Sequence, residues 1–178
     1  MSEAKAHSTS SGAVVGQEAG LILQGGIFRK LVDEHGEAAQ LMMKVRAATD
    51  AESRHNLYPA LRTALLGHER TESSILYAEL KRYPDTQQIV EKHEQEAQRL
   101  EATIRTLDTI EITNEAWLPR FIELCALVQS HVREEEDELF IAAFATLGES
   151  ASDDLRVAYL RAKPGFVNRV EAESPLQE

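Results

Sequence analysis

The sequence lacks three features that would point to other classes of protein: paired cysteines, strand-forming runs and long apolar segments. Because the single cysteine, Cys125, cannot form a disulfide within the chain, the sequence gives no sign of an oxidising compartment. No apolar run approaches the length of a membrane span, and the N-terminus does not combine a basic start with a long apolar stretch. We therefore expect a cytoplasmic protein that makes no membrane contact.

Positive charge is also scarce in this chain. Its 178 residues include 19 lysines and arginines against 30 aspartates and glutamates, for a net charge of −11. An acidic chain gains nothing from contacts with phosphate, so nucleic acid is not an expected partner. The acidity is compatible with cation binding, although a solvated acidic surface explains it equally well.

Helix-forming residues dominate what is present. Ala, Leu, Glu, Gln, Arg and Lys are abundant, and apolar residues recur at three- and four-residue steps over four long stretches. Because short connections join these stretches, the pattern predicts an all-α fold, an up-down-up-down four-helix bundle. The helices are expected at about residues 27–48, 56–83, 85–112 and 115–147.

The ends of the chain are expected to be simpler. Residues 1–26 are rich in Ser, Gly and Ala and predict a flexible tail. Residues 27–148 are assigned to the bundle, and Gly148 is expected to end its fourth helix. Residues 149–178 are predicted to hold a short helix, near residues 153–162, that packs over one end of the bundle, and then a C-terminal tail.

Each predicted helix carries one histidine on its apolar face, and these are His35, His68, His93 and His131. A single histidine at such a position is usually a core residue that its neighbours satisfy. Four of them, one on each helix, are much harder to explain in that way. We therefore identify these four histidines as candidate metal ligands. The other two, His7 and His55, are assigned to the tail and to the surface.

Two glutamates accompany the histidines, each four residues after one of them. Glu72 follows His68 and Glu135 follows His131, so each glutamate lies about 40° around the helix and about 6 Å along it. A carboxylate on an apolar face costs several kcal/mol unless it is paired. In the acidic run at residues 134–138 we assign only Glu135 to the site. The others belong to a charge run that is interpreted as a solvated face. Glu136 is turned about 140° from the histidine, and Glu138 faces inward but lies about 10 Å along the helix from His131.

The interior would then hold four imidazoles and two carboxylates, more than one tetrahedral zinc accepts. The set spans about 12 Å along the bundle axis and suits two first-row metals bridged by the glutamates. Ligands of this kind without thiolate favour two non-haem iron ions, with manganese or zinc less favoured. A ferritin-like site fails because it needs a glutamate three residues before its histidines. The residues at those positions are apolar, namely Val32, Leu65, Val90 and Val128.

Four short motifs lie on the predicted helices: Asp33-Glu34-His35, His68 to Glu72 with Ile75-Leu76-Tyr77, Glu91-Lys92-His93, and His131 to Glu136 with Leu139-Phe140. In these motifs the chain resembles the hemerythrin family, specifically the bacterial hemerythrin-like cation-binding domains, over about residues 27–147. The resemblance implies a non-haem di-iron site in a four-helix bundle. It also implies that the four histidines are terminal ligands, while Glu72 and Glu135 bridge the irons.

One position departs from the oxygen-carrying hemerythrins, which have a further histidine one turn after the one that matches His93. Ala97 stands there, so the resemblance implies a site that is one imidazole short and more open to added ligands. Glu69, beside His68, is a candidate to fill the gap, as in the hemerythrin-like domain of an iron-sensing F-box protein. The pattern is also similar to di-iron proteins linked to iron–sulfur cluster repair under nitrosative stress. These features count against reversible oxygen carriage but not against the di-iron site.

Three hypotheses for the function follow. The first is a cytoplasmic di-iron protein that binds or reacts with a small ligand, such as oxygen, peroxide or nitric oxide, in sensing, storage, detoxification or iron handling. The second is an enzyme that dismutates peroxide at the same centre. The third is a metal-free bundle with a structural or partner-binding role. The sequence specifies neither a redox partner nor an oligomeric state.

Overall fold

The computed structural model describes residue 20 and residues 24–175. Nearly all of the predicted flexible tail, including His7, therefore lies outside the described residues. The residues that are described form helices and no strand, which confirms the prediction of an all-α bundle. None of their helices has both the length and the apolar character that a membrane span requires.

Four rods build the bundle. The first is α1 (Gly26–Ala47), and the second joins α2 (Ala51–Glu72), the π-helix π1 (Ser73–Tyr77) and α3 (Ala78–Leu80). The third rod is α4 (Pro84–Asp108), and the fourth joins α5 (Trp117–Glu134), the π-helix π2 (Glu135–Leu139) and the first part of α6 (Phe140–Ala172). The predicted boundaries are within a few residues of these, and the division of the chain into domains stays a prediction.

The largest difference in a helix start concerns α2, which begins at Ala51 and not near Asn56. Asp50 supplies the missing start signal, because its carboxylate accepts a hydrogen bond from the backbone N–H of Ser53 at 2.7 Å. Such a side chain satisfies one of the free N–H groups in the first turn of a helix. The cap therefore extends the second rod by more than one turn.

The second and third rods run antiparallel. Arg62, near the start of α2, donates to Asp108 at the end of α4, with Nε and Oδ2 2.7 Å apart. Lys81, just after α3, pairs with Glu94 in the first half of α4, at 2.5 Å. The order of these contacts along the two rods is reversed, as expected for helices that a short turn connects.

Two apolar clusters fill the bundle, one on each side of a layer of buried polar residues. One cluster surrounds Tyr58, Trp117 and Phe121, and the other surrounds Phe28 and Phe140. On each of the four rods the buried histidine lies between residues of the two clusters. The polar layer is therefore sealed from both ends of the bundle by apolar side chains.

The chain after Gly148 differs from the prediction. Gly148 interrupts α6 with φ of 73°, as expected of a glycine that ends a rod, but the helix then resumes and continues to Ala172. Pro164 lies inside it and does not end it near residue 162. A proline in a helix removes an N–H donor, so contacts with the bundle must outweigh that loss.

Those contacts place this C-terminal helix along the bundle and not over one end, which corrects the second part of the prediction. The Ser152 hydroxyl accepts from the backbone N–H of Ile27 at 3.2 Å. Near the other end of the helix, the carbonyl of Val170 accepts from Arg62 at 3.2 Å. Since Ile27 and Arg62 belong to α1 and α2, the helix follows these two rods lengthwise.

Candidate metal centre

The four predicted histidines meet in the polar layer. The Nε2 atoms of His35 and His68 face each other at 3.2 Å, and the ring centroids of His93 and His131 lie 5.6 Å apart. All four are buried, with at most 8% of any of them exposed. Helices from distant parts of the sequence therefore bring the imidazoles together as two pairs.

One carboxylate, that of Glu135, joins the two pairs. Its Oε2 lies 3.3 Å from Nε2 of His35, and its Oε1 lies 3.2 Å from Nε2 of His131. The potential ligand atoms thus form two groups, each with spacing that a single metal ion could bridge, and within each group they lie within 4.8 Å of one another. The first group is His35, His68 and Glu135, and the second is His93, His131 and Glu135. Glu135, which is fully buried, is the member that they share.

Glu72 lies beside the first pair. Its Oε2 is 3.1 Å from Nε2 of His68, and the side chain is fully buried, as the four-residue spacing predicted. Glu72 belongs to neither of the two 4.8 Å groups, and the histidine that its carboxylate contacts is His68.

The hydrogen bonding of the buried polar atoms in this layer shows whether its residues fit a bound metal. Most buried polar atoms in proteins have a hydrogen-bond partner. Seven atoms of the layer have none among the described residues: Oε2 of Glu69, both carboxylate oxygens of Glu72, Oε2 of Glu135, both ring nitrogens of His93, and Nε2 of His131. Imidazole nitrogen and carboxylate oxygen are ligands of first-row metals. A bound cation would satisfy these atoms, so the residues fit a metal.

The comparison with protein families agrees with this geometry. The hemerythrin HHE cation binding domain matches residues 26–143, which is more than half of the chain. The chain belongs to the hemerythrin family. Neither the curated proteins nor the solved structures give a match to it. The match covers all six predicted ligands of the hemerythrin domain and ends before the C-terminal helix.

Charge in this hemerythrin centre is unevenly distributed over the two glutamates. Burial and the neighbouring carboxylate of Glu135 raise the pKa of Glu72. Burial alone would also raise the pKa of Glu135, but the imidazoles of His131 and His35 outweigh it and hold that pKa well below its usual range. Glu135 is therefore the carboxylate that the surrounding histidines stabilise in its ionised form.

The histidines respond to the same acids. Burial lowers the pKa of His68, yet its hydrogen bond to Glu34 and the adjacent carboxylate of Glu72 outweigh burial and raise that pKa to about 10. The charges of Glu135 and Glu69 raise the pKa of His131 to about 12 against the effect of burial. In the metal-free protein these imidazoles hold protons, and a metal cation would take the place of that positive charge.

An outer layer of acids orients the histidines through their second ring nitrogen. Glu34 Oε2 lies 2.9 Å from Nδ1 of His68, and Glu136 Oε1 lies 2.7 Å from Nδ1 of His35. Carboxylates commonly hold metal-binding histidines in this way. The prediction that Glu136 lies on a solvated face is wrong. The Glu136 side chain points away from the centre but towards the neighbouring first rod, where it contacts His35.

Glu96 lies beside the other pair. Its Oε2 is hydrogen-bonded to Nδ1 of His131 at 3.3 Å and lies 3.4 Å from Nδ1 of His93 without a hydrogen bond to it. Sequence reasoning missed both Glu96 and Glu34. For Glu96 a signal was present, since it follows His93 by three residues and so lies on nearly the same helix face.

Two π-helical segments mark the two His–Glu pairs of the hemerythrin domain. π1 begins directly after Glu72, and π2 begins at Glu135 itself. Segments of π-helix are rare and often lie at functional sites. The second and fourth rods therefore share a backbone feature as well as a sequence pattern, and nothing in the sequence had predicted it.

Tyr77 contacts the centre directly. Its hydroxyl donates to Oε1 of Glu135 at 2.5 Å, and the ring is fully buried. The sequence left open whether Tyr77 lies near the metals or at a boundary, and the structure places it at the shared carboxylate. Tyr77 thus helps to hold Glu135 between the two histidine pairs.

The side of the centre that carries Ala97 borders a surface cavity of about 340 Å³. Ala97 and Glu69 both line this cavity, together with residues of π1 and of the C-terminal helix. Glu69 is itself buried, and its Oε2 lies 3.4 Å from Nε2 of His131. Glu69 therefore stands between the cavity and the histidines, next to the position where oxygen-carrying hemerythrins have a further imidazole.

Proposed function

We propose that this protein is a non-haem di-iron protein that binds or reacts with a small ligand: oxygen, peroxide or nitric oxide. In this proposal His35, His68, His93 and His131 are terminal ligands, and Glu72 and Glu135 bridge the metals. The observation that carries it is the shared carboxylate of Glu135, whose two oxygens face one histidine of each pair at 3.3 and 3.2 Å.

Two arguments support two irons over one ion of another metal. The two histidine pairs form separate groups around Glu135, and one tetrahedral ion could not use all of their ligands. The set has no thiolate, and mixed imidazole and carboxylate ligands suit iron, with manganese and zinc as less favoured occupants. Bound iron would supply Lewis acidity and one-electron redox chemistry.

The chain's own residues prepare the centre for a ligand from outside. Ala97 offers only a methyl group at the wall of the surface cavity, so a ligand that enters this cavity would meet Glu69 before the histidines. Glu69 carries an oxygen that has no hydrogen-bond partner among the described residues. This oxygen could complete the ligand set or accept a hydrogen bond from an incoming ligand.

The biological role that we infer is sensing, storage, detoxification or iron handling in the cytoplasm. There are two alternatives. One is an enzyme that dismutates peroxide at the same centre, and the other is a metal-free bundle with a structural or partner-binding role. A peroxide-consumption assay on the iron-loaded protein separates the enzyme from the proposed function. Activity that survives both His68→Ala and Glu72→Ala would contradict catalysis at this centre.

The metal content of the purified protein distinguishes the two metal-dependent hypotheses from the metal-free structural bundle. We expect the protein purified from iron-supplied cells to hold about two irons per chain and to show oxo-bridge absorption in the near ultraviolet. His68→Ala should lose iron, whereas His55→Ala should not, because His55 is exposed and far from the polar layer along the same rod. A protein that takes up no iron on reconstitution and is equally stable without it would overturn the proposal.

A further inference from the structure

The C-terminal helix, which is the part of α6 after Gly148, lies beyond residues 26–143 that match the family, yet it reaches the metal centre. Its Val167 packs against Gly67 of α2, the residue before His68. A Cβ atom at Gly67 would lie 3.2 Å from Cγ2 of Val167, so the absence of a side chain at Gly67 lets the two helices pack tightly there. The helix is therefore seated directly beside a predicted ligand.

Two polar side chains of this helix converge on the acid that holds His68. The hydroxyl of Tyr159 and the ammonium of Lys163 each donate to Oε2 of Glu34 at 2.6 Å. That same oxygen lies 2.9 Å from Nδ1 of His68. Lys163 also donates to the Tyr159 hydroxyl at 3.0 Å, so the two donors and the carboxylate form one closed cluster.

Such a cluster exists at one histidine only among the described residues. The Glu34 side chain is 9% exposed, whereas those of Glu136 and Glu96, which lie beside the other three histidines, are 28% and 30% exposed. No lysine, arginine or tyrosine in the described part of the chain hydrogen-bonds to Glu136 or Glu96. The outer layer is therefore asymmetric, and the two residues that clamp its buried member, Glu34, come from outside the family match.

The chemical consequence follows from what an outer carboxylate does for a ligating histidine. It fixes the ring orientation and makes the imidazole a stronger electron donor, and such partners commonly matter 10- to 100-fold in metal affinity. A buried ammonium and a phenol on the same oxygen fix the carboxylate in place and keep it ionised. They thereby act on His68 without touching the metal.

We propose that Tyr159 and Lys163 are positioning residues that hold Glu34 against His68 and so make the metal on the His68 side bind differently from its neighbour. The proposal rests on the proposed di-metal function. The C-terminal helix is then a part of the centre. The rods themselves supply one further cation to Glu34, because Lys30 Nζ on α1 lies 3.2 Å from its other oxygen, Oε1. The alternative is that the cluster only anchors the helix to the bundle.

Release of iron to a strong ferrous chelator under reducing conditions distinguishes the two, since it reports on the metal without measuring activity. We expect two release phases in the wild type, one for each metal. Tyr159→Phe and Lys163→Gln should accelerate one phase about tenfold or more and leave the other within about twofold. Lys163→Arg, which keeps the charge, should restore most of the wild-type rate.

Arg161→Gln is the matched control, because it removes one positive charge from an exposed position two residues away on the same helix. Melting curves of the metal-free variants show whether each one is folded, and Tyr159→Phe retains the buried ring. Release rates that equal those of Arg161→Gln, with a melting temperature that falls, would show an anchor only and overturn the inference. A wild type that binds no iron would instead refute the proposed function itself.

Discussion

At the scale of single residues, the centre depends on where protons lie before a metal arrives. In the metal-free protein the pKa of His68 is raised to about 10 and that of His131 to about 12, because buried carboxylates surround both rings. Both imidazoles are therefore protonated at neutral pH. A metal can bind to their ring nitrogens only after those protons leave.

We predict that metal binding at about pH 7 releases at least about two protons per chain, because the pKa values of His35 and Glu72 are raised as well. The release can be measured with a pH indicator in weakly buffered solution as Fe²⁺ or Zn²⁺ is added to the metal-free protein. His55→Ala should release the same number, since His55 is exposed and outside the polar layer. Binding without proton release would show that the histidines are neutral before the metal binds.

Glu72 is expected to destabilise the metal-free protein and to strengthen metal binding. Its pKa is raised by burial and by Glu135, and neither of its oxygens has a hydrogen-bond partner, so the folded protein disfavours its ionised form. Glu72→Gln should therefore stabilise the metal-free protein by about 1–3 kcal/mol and weaken metal binding at least tenfold. Urea denaturation after chelation and competition with a chelator measure the two effects.

The pH dependence of this gain has a definite sign. A raised pKa in the folded state means that the folded protein binds more protons than the unfolded one, so this group lowers stability as pH rises. The benefit of Glu72→Gln should thus be larger at about pH 8 than at about pH 5. Glu37→Gln, at an exposed position on α1, is the control and should change little. A destabilised Glu72→Gln apoprotein would contradict this account.

At the scale of elements, the second and third rods are held by a buried ion pair distant from the metal centre. Arg62 and Asp108 lie 2.7 Å apart, and their side chains are only 5% and 6% exposed. Removal of one partner leaves a buried charge alone, so Arg62→Ala should cost about 3–5 kcal/mol of unfolding free energy. Urea denaturation of the metal-free protein measures this cost.

The matched control for that prediction is Arg120→Ala on α5. Arg120 also forms an ion pair, with Glu123, but its side chain is 56% exposed, and such pairs contribute at most about 1 kcal/mol. Both variants should bind as much iron as the wild type, because neither pair contacts the polar layer. Equal effects of the two substitutions would contradict a stabilising role for the buried pair.

The sequence predicted those features that depend on helix periodicity. The four apolar faces, the histidine on each of them and the spacing of Glu72 from His68 follow from 3.6 residues per turn, and the structure brings these residues together. Features that depend on contacts between helices were missed. Glu34 illustrates this, because it precedes His35 in the sequence but holds His68 on the neighbouring rod.

The length of the C-terminal helix was missed for a related reason. Local rules end a helix near Pro164. The contacts that continue it to Ala172, such as the hydrogen bond from Arg62 to the Val170 carbonyl, join residues far apart in the sequence. The π-helical turns at Glu72 and Glu135 likewise depend on how the rods pack, and apolar periodicity does not report them.

At the scale of the whole molecule, two apolar clusters enclose a polar layer that is unfavourable without a cation. The clusters supply most of the apolar burial, while the layer holds carboxylates and imidazoles with unsatisfied atoms. A metal that binds only the folded state should therefore raise the stability of the entire bundle.

We accordingly predict that reconstitution with iron raises the melting temperature and that a chelator lowers it again. With free metal at about 100 times its dissociation constant, the gain should be about 2.7 kcal/mol for each independent site. Circular dichroism at increasing metal concentration measures this shift, and magnesium, which prefers oxygen ligands, serves as the control cation. A melting temperature that does not depend on iron would contradict the coupling of metal binding to folding.

The most direct test of the central claim is the iron stoichiometry of the wild type, Glu135→Ala and Asp137→Ala. Asp137 is an exposed acid in the same π-helical segment and provides the matched control. If Glu135 is shared by two metals, the wild type and Asp137→Ala should bind about two irons per chain, and Glu135→Ala should bind one or none. An unchanged stoichiometry in Glu135→Ala, or a wild type that binds no iron, would contradict the account.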